Sequence, residues 1–255
     1  MENEIIIQYV AEQRKDMPRL GTRKLHFLIK KSVEAHNIKL GRDRLFNVLR
    51  DNNLHIKPKK SYTRTTLSNH WRKKYDDLRI DLVTDRSELL WVSDITYIST
   101  LEGFEYLSLI SDEYCKKIVG WCCYPTLETL GCLKALKMAL EQRKYPHRPL
   151  IHHSDRGAQY CSEAYTSILL DHSCKISVTQ NGSPFENPMA ESVNGIFKGE
   201  FNLDQTFRTR RLARSTVKQT IQIFNTRRPH GSIDYLTPNE AYYLTGPIPS
   251  RWRKK

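Results

Sequence analysis

The chain opens with three stretches in which apolar residues recur at helical spacing. Ile6, Val10 and Gln13 fall on one face with Tyr9 beside them, and Pro18 closes the segment. After Thr22, the residues Leu25, Leu28 and Ile29 repeat the pattern, and from about Gly41 it returns with Leu45, Val48 and Leu49. The third stretch turns Arg42, Arg44, Asn47 and Arg50 outward. Short helices joined by tight turns, the last one basic, fit a helix-turn-helix and fit equally a small bundle with a solvated basic face.

The period changes at Leu89. Leu89 to Thr100 is dense in β-branched and aromatic residues and predicts a strand with Asp94 in its middle. Gly103 breaks the run, Phe104 to Ser111 resumes it as a hairpin partner, and Ile118 to Tyr124 completes a meander. Leu127 to Arg143 reads as a long apolar-faced helix ended before Pro146, followed by a short strand, Pro149 to His153. A helix over about Ser162 to His172 and a strand over Ile176 to Thr179 come next. This order predicts an α/β fold: a mixed five-stranded sheet with helices on both faces. After the loop from Gln180 to Glu186, Asn187 is placed as N-cap and Pro188 as first residue of another helix. Thr209 to Arg228 forms an amphipathic helix, with Ala213, Val217, Ile221 and Phe224 on the packing face, and Thr237 to Glu240 is a capping box for a short helix through Leu244.

Composition narrows the class. The chain has 255 residues, 39% of them hydrophobic, which is enough for a core. No apolar run approaches the roughly 18 residues of a membrane span, and the acidic start lacks the basic region of a secretory signal, so a cytoplasmic protein is expected. The six cysteines form no Cys-x-x-Cys pair and read as reduced, mostly core thiols. The net charge of +13 lies in the flanks: residues 1–88 carry 20 basic and 12 acidic residues, residues 89–200 carry 10 and 13, and residues 201–255 carry 11 and 3. Between Asn52 and Tyr75 seven basic residues, among them Lys57, Lys59, Lys60 and Arg64, stand with no acidic one, interleaved with Pro58, Tyr62 and Trp71. That composition suits an extended linker along a phosphate backbone, with a merely solvated linker as the other reading. The basic flanks point to a polyanion partner, with nucleic acid as the first candidate.

Asp94 sits mid-strand, Asp155 at the C-terminal edge of the fourth strand, and Glu191 in the first turn of a helix whose face also carries Asn194 and Lys198. A carboxylate in an apolar strand is costly unless paired or bound to a cation. Three gathered carboxylates call for a hard divalent ion such as Mg²⁺, and two ions about 4 Å apart suit in-line phosphoryl transfer.

Placement lifts these three above the other acids. Thirty-five residues separate Asp155 from Glu191, and each acid sits in a local signature: Trp91-Val-Ser-Asp94-Ile-Thr-Tyr97, His153-Ser-Asp155-Arg-Gly157-Ala-Gln-Tyr160, and Gly182-Ser-Pro-x-x-Asn187-x-x-x-Glu191-Ser192 followed by Lys198. Together with Leu20-Gly-Thr-Arg-Lys24, Asn225-Thr-Arg-Arg228-Pro-His230 and Thr237-Pro238-x-Glu240, the chain resembles the integrase-core transposases of bacterial insertion sequences, of the kind encoded by a second overlapping reading frame. Glu186 and Pro188 depart from the residues most members carry there.

The resemblance implies a ribonuclease H-like core and an Asp-Asp-Glu metal-binding and catalytic triad at Asp94, Asp155 and Glu191. It also implies a DNA contact at Lys198, oligomerisation on DNA, and a first-frame partner protein or fusion supplying a further DNA-binding helix-turn-helix and a coiled coil. Met1 with no heptad run behind it suits the second frame alone. The expected division is a helical helix-turn-helix-like DNA-binding domain over 1–54, a basic linker over 55–85, the catalytic core over 86–205 and a helical extension with a basic tail over 206–255. Candidate DNA contacts are Lys198, Asn194, Arg156, Arg42, Arg44, Lys57, Lys59, Lys60, Arg64, Arg227 and Arg228. Arg156 serves either a scissile phosphate or a neighbouring acid, and hard cations prefer oxygen to His152 or His153. A metal nuclease without strand transfer and a non-catalytic DNA-binding modulator remain as other readings of the same residues.

Overall fold

The computed structural model describes residues 2–56, 75–180 and 187–251. Five strands, β1 (Leu90–Thr100), β2 (Gly103–Asp112), β3 (Ile118–Tyr124), β4 (Leu150–Ser154) and β5 (Cys174–Val178), form one sheet in the order β3-β2-β1-β4-β5. The β1–β2 and β2–β3 pairs are antiparallel, and β1–β4 and β4–β5 are parallel. The meander and the two crossovers read from the sequence therefore meet at β1, which is the central strand. A tight turn at Leu101-Glu102 joins β1 to β2, and Gly103 supplies the left-handed backbone (φ 102°) that closes it.

Three helices open the chain: α1 (Glu2–Asp16), α2 (Thr22–Glu34) and α3 (Arg42–Asp51). Their buried residues include Ile6 and Val10 on α1, Leu25 and Ile29 on α2, and Leu45, Val48 and Leu49 on α3, as the spacing predicts. Leu28, expected with them, is only partly buried, and Val33 completes the α2 stripe.

Helices cover both faces of the sheet. On one side α4 (Thr129–Glu141) and α5 (Glu163–Asp171) enclose Trp91, Ile110, Val119, Leu136 and Tyr165. Contact there is so close that a Cβ on Gly120 of β3 would lie 2.2 Å from the Ala135 carbonyl oxygen of α4. On the other side α6 (Pro188–Gly199) and α7 (Arg210–Thr226) pack on Ile98, Leu107, Leu109 and Ile118, and this core is continuous with that of α1–α3. A mixed five-stranded sheet with helices on both faces is the ribonuclease H-like arrangement expected.

Several boundaries differ for local reasons. The α4 helix starts at Thr129 and stops at Glu141, and β5 begins two residues early because Cys174 and Lys175 pair with Leu150 and Ile151. The capping box of α8 (Pro238–Ala241) has both hydrogen bonds, but the helix ends before Leu244 because the chain turns to pair Thr245 with Arg86. All six cysteines are free thiols, four of them buried. Among the described residues no helix is long and apolar enough to cross a membrane.

Candidate active site

Alternation along β1 decides which side each residue serves. Trp91 and Ile95 join the α4–α5 side, whereas Ile98 joins the α6–α7 side, and Asp94 shares the parity of Ile98. Asp94 therefore points from the centre of the sheet toward α6.

Two asparagine amides hold α6 along β1. Asn187 stands at the N-cap position, yet its side chain does not cap the helix; its amide donates to the Ser93 carbonyl at 3.1 Å. About two turns further on, the Asn194 amide donates to Asp94 Oδ2 at 2.5 Å. Glu191 lies between these tethers on the same helical face, solvent-exposed in the first turn. Lys198 continues the face, and its ammonium sits 4.5 Å from the centre of the Tyr97 ring on β1.

Asp155 follows the last residue of β4, where the chain leaves the sheet. Its Oδ1 accepts the Gly157 N–H at 2.9 Å, and a Cβ at Gly157 would lie 2.9 Å from that same oxygen. The turn thus needs glycine for close approach, not for a left-handed backbone.

Burial pushes the Asp94 carboxyl up to about 7, the Asp155 charge pushes in the same direction, and Glu191 adds to it, against the Ile95 N–H and Asn194 amide that favour the ionised form. Asp94 thus feels both other members of the predicted triad. Among the described residues no three His, Cys, Asp or Glu side chains lie close enough together to hold a metal as they stand. The donors are nonetheless the right kind. They are hard carboxylate oxygens, and the repulsion already felt at Asp94 is what a divalent cation relieves.

Neither histidine joins them. His152 hydrogen-bonds Ser93 Oγ at 2.6 Å and the Tyr165 hydroxyl at 2.9 Å, while His153 pairs with Ser177 Oγ at 2.9 Å. Burial, helped by neighbouring His153, pushes the His152 imidazole down to about 3. Its folded value lies below the unfolded value of about 6.5, so the contribution is intact above that pH and is lost as pH falls toward 3. Denaturant titrations should find the protein about 2 kcal/mol less stable at pH 5 than at pH 7 from this residue, and His152→Gln should flatten that part of the profile. An unchanged pH slope in the variant would remove His152 as its source.

Most candidate DNA contacts have partners inside the protein. Arg156 spans to the Thr179 carbonyl (2.6 Å) and Gln180 Oε1 (3.1 Å), bracing the end of β5. Arg42 pairs with Asp43 at 3.0 Å and Arg44 with Glu2 at 2.6 Å, both at the surface. Arg227 pairs with Asp16. Arg228 is placed differently from a surface DNA contact: it is 2% exposed, and its guanidinium forks onto Glu200 at 2.9 and 3.0 Å. A buried guanidinium committed to a carboxylate would have to give up that ion pair to reach a phosphate. Lys57, Lys59, Lys60 and Arg64, with the 181–186 loop and the tail after Arg251, lie outside the described residues.

Sequence reading missed the Asn187 tether, because a residue in cap position looks like a cap. It also missed Glu105, buried on β2 and bonded by Arg214 at 2.8 and 3.0 Å, since the two are far apart in the chain.

Comparison with known proteins agrees with this geometry. Residues 84–184 match one Integrase core domain family and residues 172–238 a second of the same description. The fold and these matches thus define the class of the core as an integrase core domain. A 31 kDa protein of insertion element IS600 from Shigella sonnei is 34% identical over 220 residues, 86% of this chain and 79% of that protein. The transposase for insertion sequence element IS629, also from Shigella sonnei, is 35% identical over 187 residues, 71% of this chain. The chain belongs to the integrase-core transposases of bacterial insertion sequences. It spans 62% of the length of the IS629 transposase. A chain in the cryo-EM structure of a simian T-cell lymphotropic virus intasome with the PP2A regulatory subunit B56 gamma shares the fold, with a TM-score of 0.52 at 14% identity over 92% of this chain and 79% of that one.

Proposed function

We propose that this chain is the catalytic subunit of a DNA transposase, which nicks DNA at the ends of its element and joins the freed 3′-OH to another phosphodiester. The observation that carries the reading is the carboxyl of Asp94. It is held at the centre of the sheet, aimed at the helix bearing Glu191, and raised to about 7 by burial and by the charges of Asp155 and Glu191. In this reading Asp94, Asp155 and Glu191 hold two Mg²⁺ ions, with Mn²⁺ as substitute. Bound metal supplies the Lewis acidity that phosphodiester chemistry needs.

The chain's own residues do the rest. The Asn194 amide orients the Asp94 carboxylate, the Gly157 N–H orients that of Asp155, and Asn187 fixes the start of the Glu191 helix against β1. Lys198, beside Tyr97 on the same face, supplies positive charge to the DNA end. We further assign residues 1–54 to a helix-turn-helix-like DNA-binding unit, 55–85 to a basic linker, 86–205 to the core and 206–255 to the helical extension and tail. The ion pairs of Arg42, Arg44 and Arg227 are exposed and exchangeable for phosphate contacts, with Lys57, Lys59, Lys60 and Arg64 along the linker. The working form is a homo-oligomer on double-stranded DNA in the bacterial cytoplasm, aided by the product of a first reading frame.

The test uses the full chain, alone and joined to any protein encoded by an overlapping upstream frame, with duplexes made from the DNA flanking its own gene. Nicked and joined products should appear with Mg²⁺ and vanish with chelator. Nicks without joining would identify a nuclease, and binding without cleavage in Mg²⁺ or Mn²⁺ would identify a modulator.

A further inference from the structure

Two sequence motifs outside the carboxylate site, Leu20 to Lys24 and Asn225 to His230, converge on a single carboxylate. Glu200 is the C-cap of α6, nine residues after Glu191 and so about 13 Å further along the same helix. From the N-terminal unit, Lys24 Nζ reaches Glu200 Oε1, and the Arg19 N–H donates to the Glu200 carbonyl at 3.0 Å. From the C-terminal extension, Arg228 forks onto both Glu200 oxygens and also meets the His230 ring at 3.0 Å.

The side chains of Lys24 and Glu200 are 14% and 19% exposed, so the junction is largely screened from water. Burial alone would raise the Glu200 carboxyl, but Arg228 and Lys24 overcome it and hold the group below its ordinary value. Around this centre, Phe27 of α2 stacks on Tyr235 at 4.8 Å, Asp16 pairs with Arg227, and the cores of α1–α3 and α6–α7 are continuous. Three distant parts of the chain thus meet at the far end of the helix that carries Glu191.

We propose that Glu200, Lys24 and Arg228 are positioning residues that lock the N-terminal helical unit onto the Glu191 helix, so that DNA held by that unit arrives in fixed register with the carboxylates. The lock itself stands on the contacts above, whereas its effect on register rests on the transposase reading. Lys24 is the informative position, because removing its charge leaves the Arg228–Glu200 pair intact.

The experiment compares wild type, Lys24→Met and Lys24→Arg as full chains, with two readouts. The first is hydrogen exchange of the peptide containing Arg19; the second is the map of Mg²⁺-dependent cuts on duplexes made from the DNA flanking the gene. Lys24→Met should speed Arg19 exchange at least tenfold and lower the fraction of cuts at the element end about tenfold, while scattered nicking continues. Lys24→Arg should restore both. Unchanged exchange would overturn the lock, and faster exchange with an unchanged cut map would overturn the positioning role. If Lys24→Met fails to fold, Glu200→Asp, which keeps the charge but withdraws it, is read in the same two ways. A wild type that cuts nothing would sink the transposase reading, with Arg19 exchange still deciding the lock.

Discussion

Asp94→Asn, Asp155→Asn and Glu191→Gln should each lose roughly a thousandfold in Mg²⁺-dependent cleavage and joining, while the protein still folds and binds DNA. Metal-ion stabilisation of developing charge is worth several kcal/mol, and about 4 kcal/mol corresponds to a factor of roughly a thousand in rate. Each substitution keeps the shape of its side chain and removes one anionic donor. A structural role makes the opposite forecast for Asp94. Its raised carboxyl means that the ionised form weakens the metal-free fold as pH climbs through about 7, so Asp94→Asn should melt slightly higher than wild type at pH 8 without metal. Lost activity with kept or increased thermal stability separates a metal ligand from a core residue. Wild-type cleavage in any one of the three variants would remove that residue from the triad.

Arg228→Ala should be the most destabilising of the arginine substitutions, at about 3–5 kcal/mol in denaturant unfolding. It removes one partner of a buried, two-pronged ion pair and leaves Glu200 with Lys24 alone. Neighbouring Arg227 provides the internal comparison. Its pair with Asp16 is 48% exposed on the arginine side, so Arg227→Ala should cost no more than about 1 kcal/mol. Were Arg228 instead a phosphate contact, its loss would leave unfolding unchanged and lower the salt slope of DNA binding by about one. Measuring both properties on both variants decides between architecture and DNA contact at each position.

The adjacent pair Arg227-Arg228 also shows how far a sequence can be read. Both are arginines side by side in one stretch of sequence, and nothing local distinguishes them. The difference arises because Arg228 turns inward beneath Phe224 toward Glu200, while Arg227 stays at the surface near Asp16. Asn187 makes the same point from the other direction. Its place before Pro188 marks the start of a helix, but only the nearness of Ser93 on β1 turns its amide into a tether.

The sequence by itself determined what depends on near neighbours. The stripes Leu45, Val48 and Leu49 or Ala213, Val217 and Phe224 define helices and their buried faces, because periodicity is local and burial of apolar surface is non-directional. The three signatures around Asp94, Asp155 and Glu191 likewise place one carboxylate mid-strand, one at a strand end and one in a first helical turn. Tertiary structure alone decided which charges are free. Lys24 and Glu200 stand 176 residues apart, and Glu105 and Arg214 stand 109 apart, yet each pair is in contact. Coulomb attraction and desolvation follow distance in space, so an arginine's role as ion-pair partner or as DNA contact emerges only once the chain has folded around it.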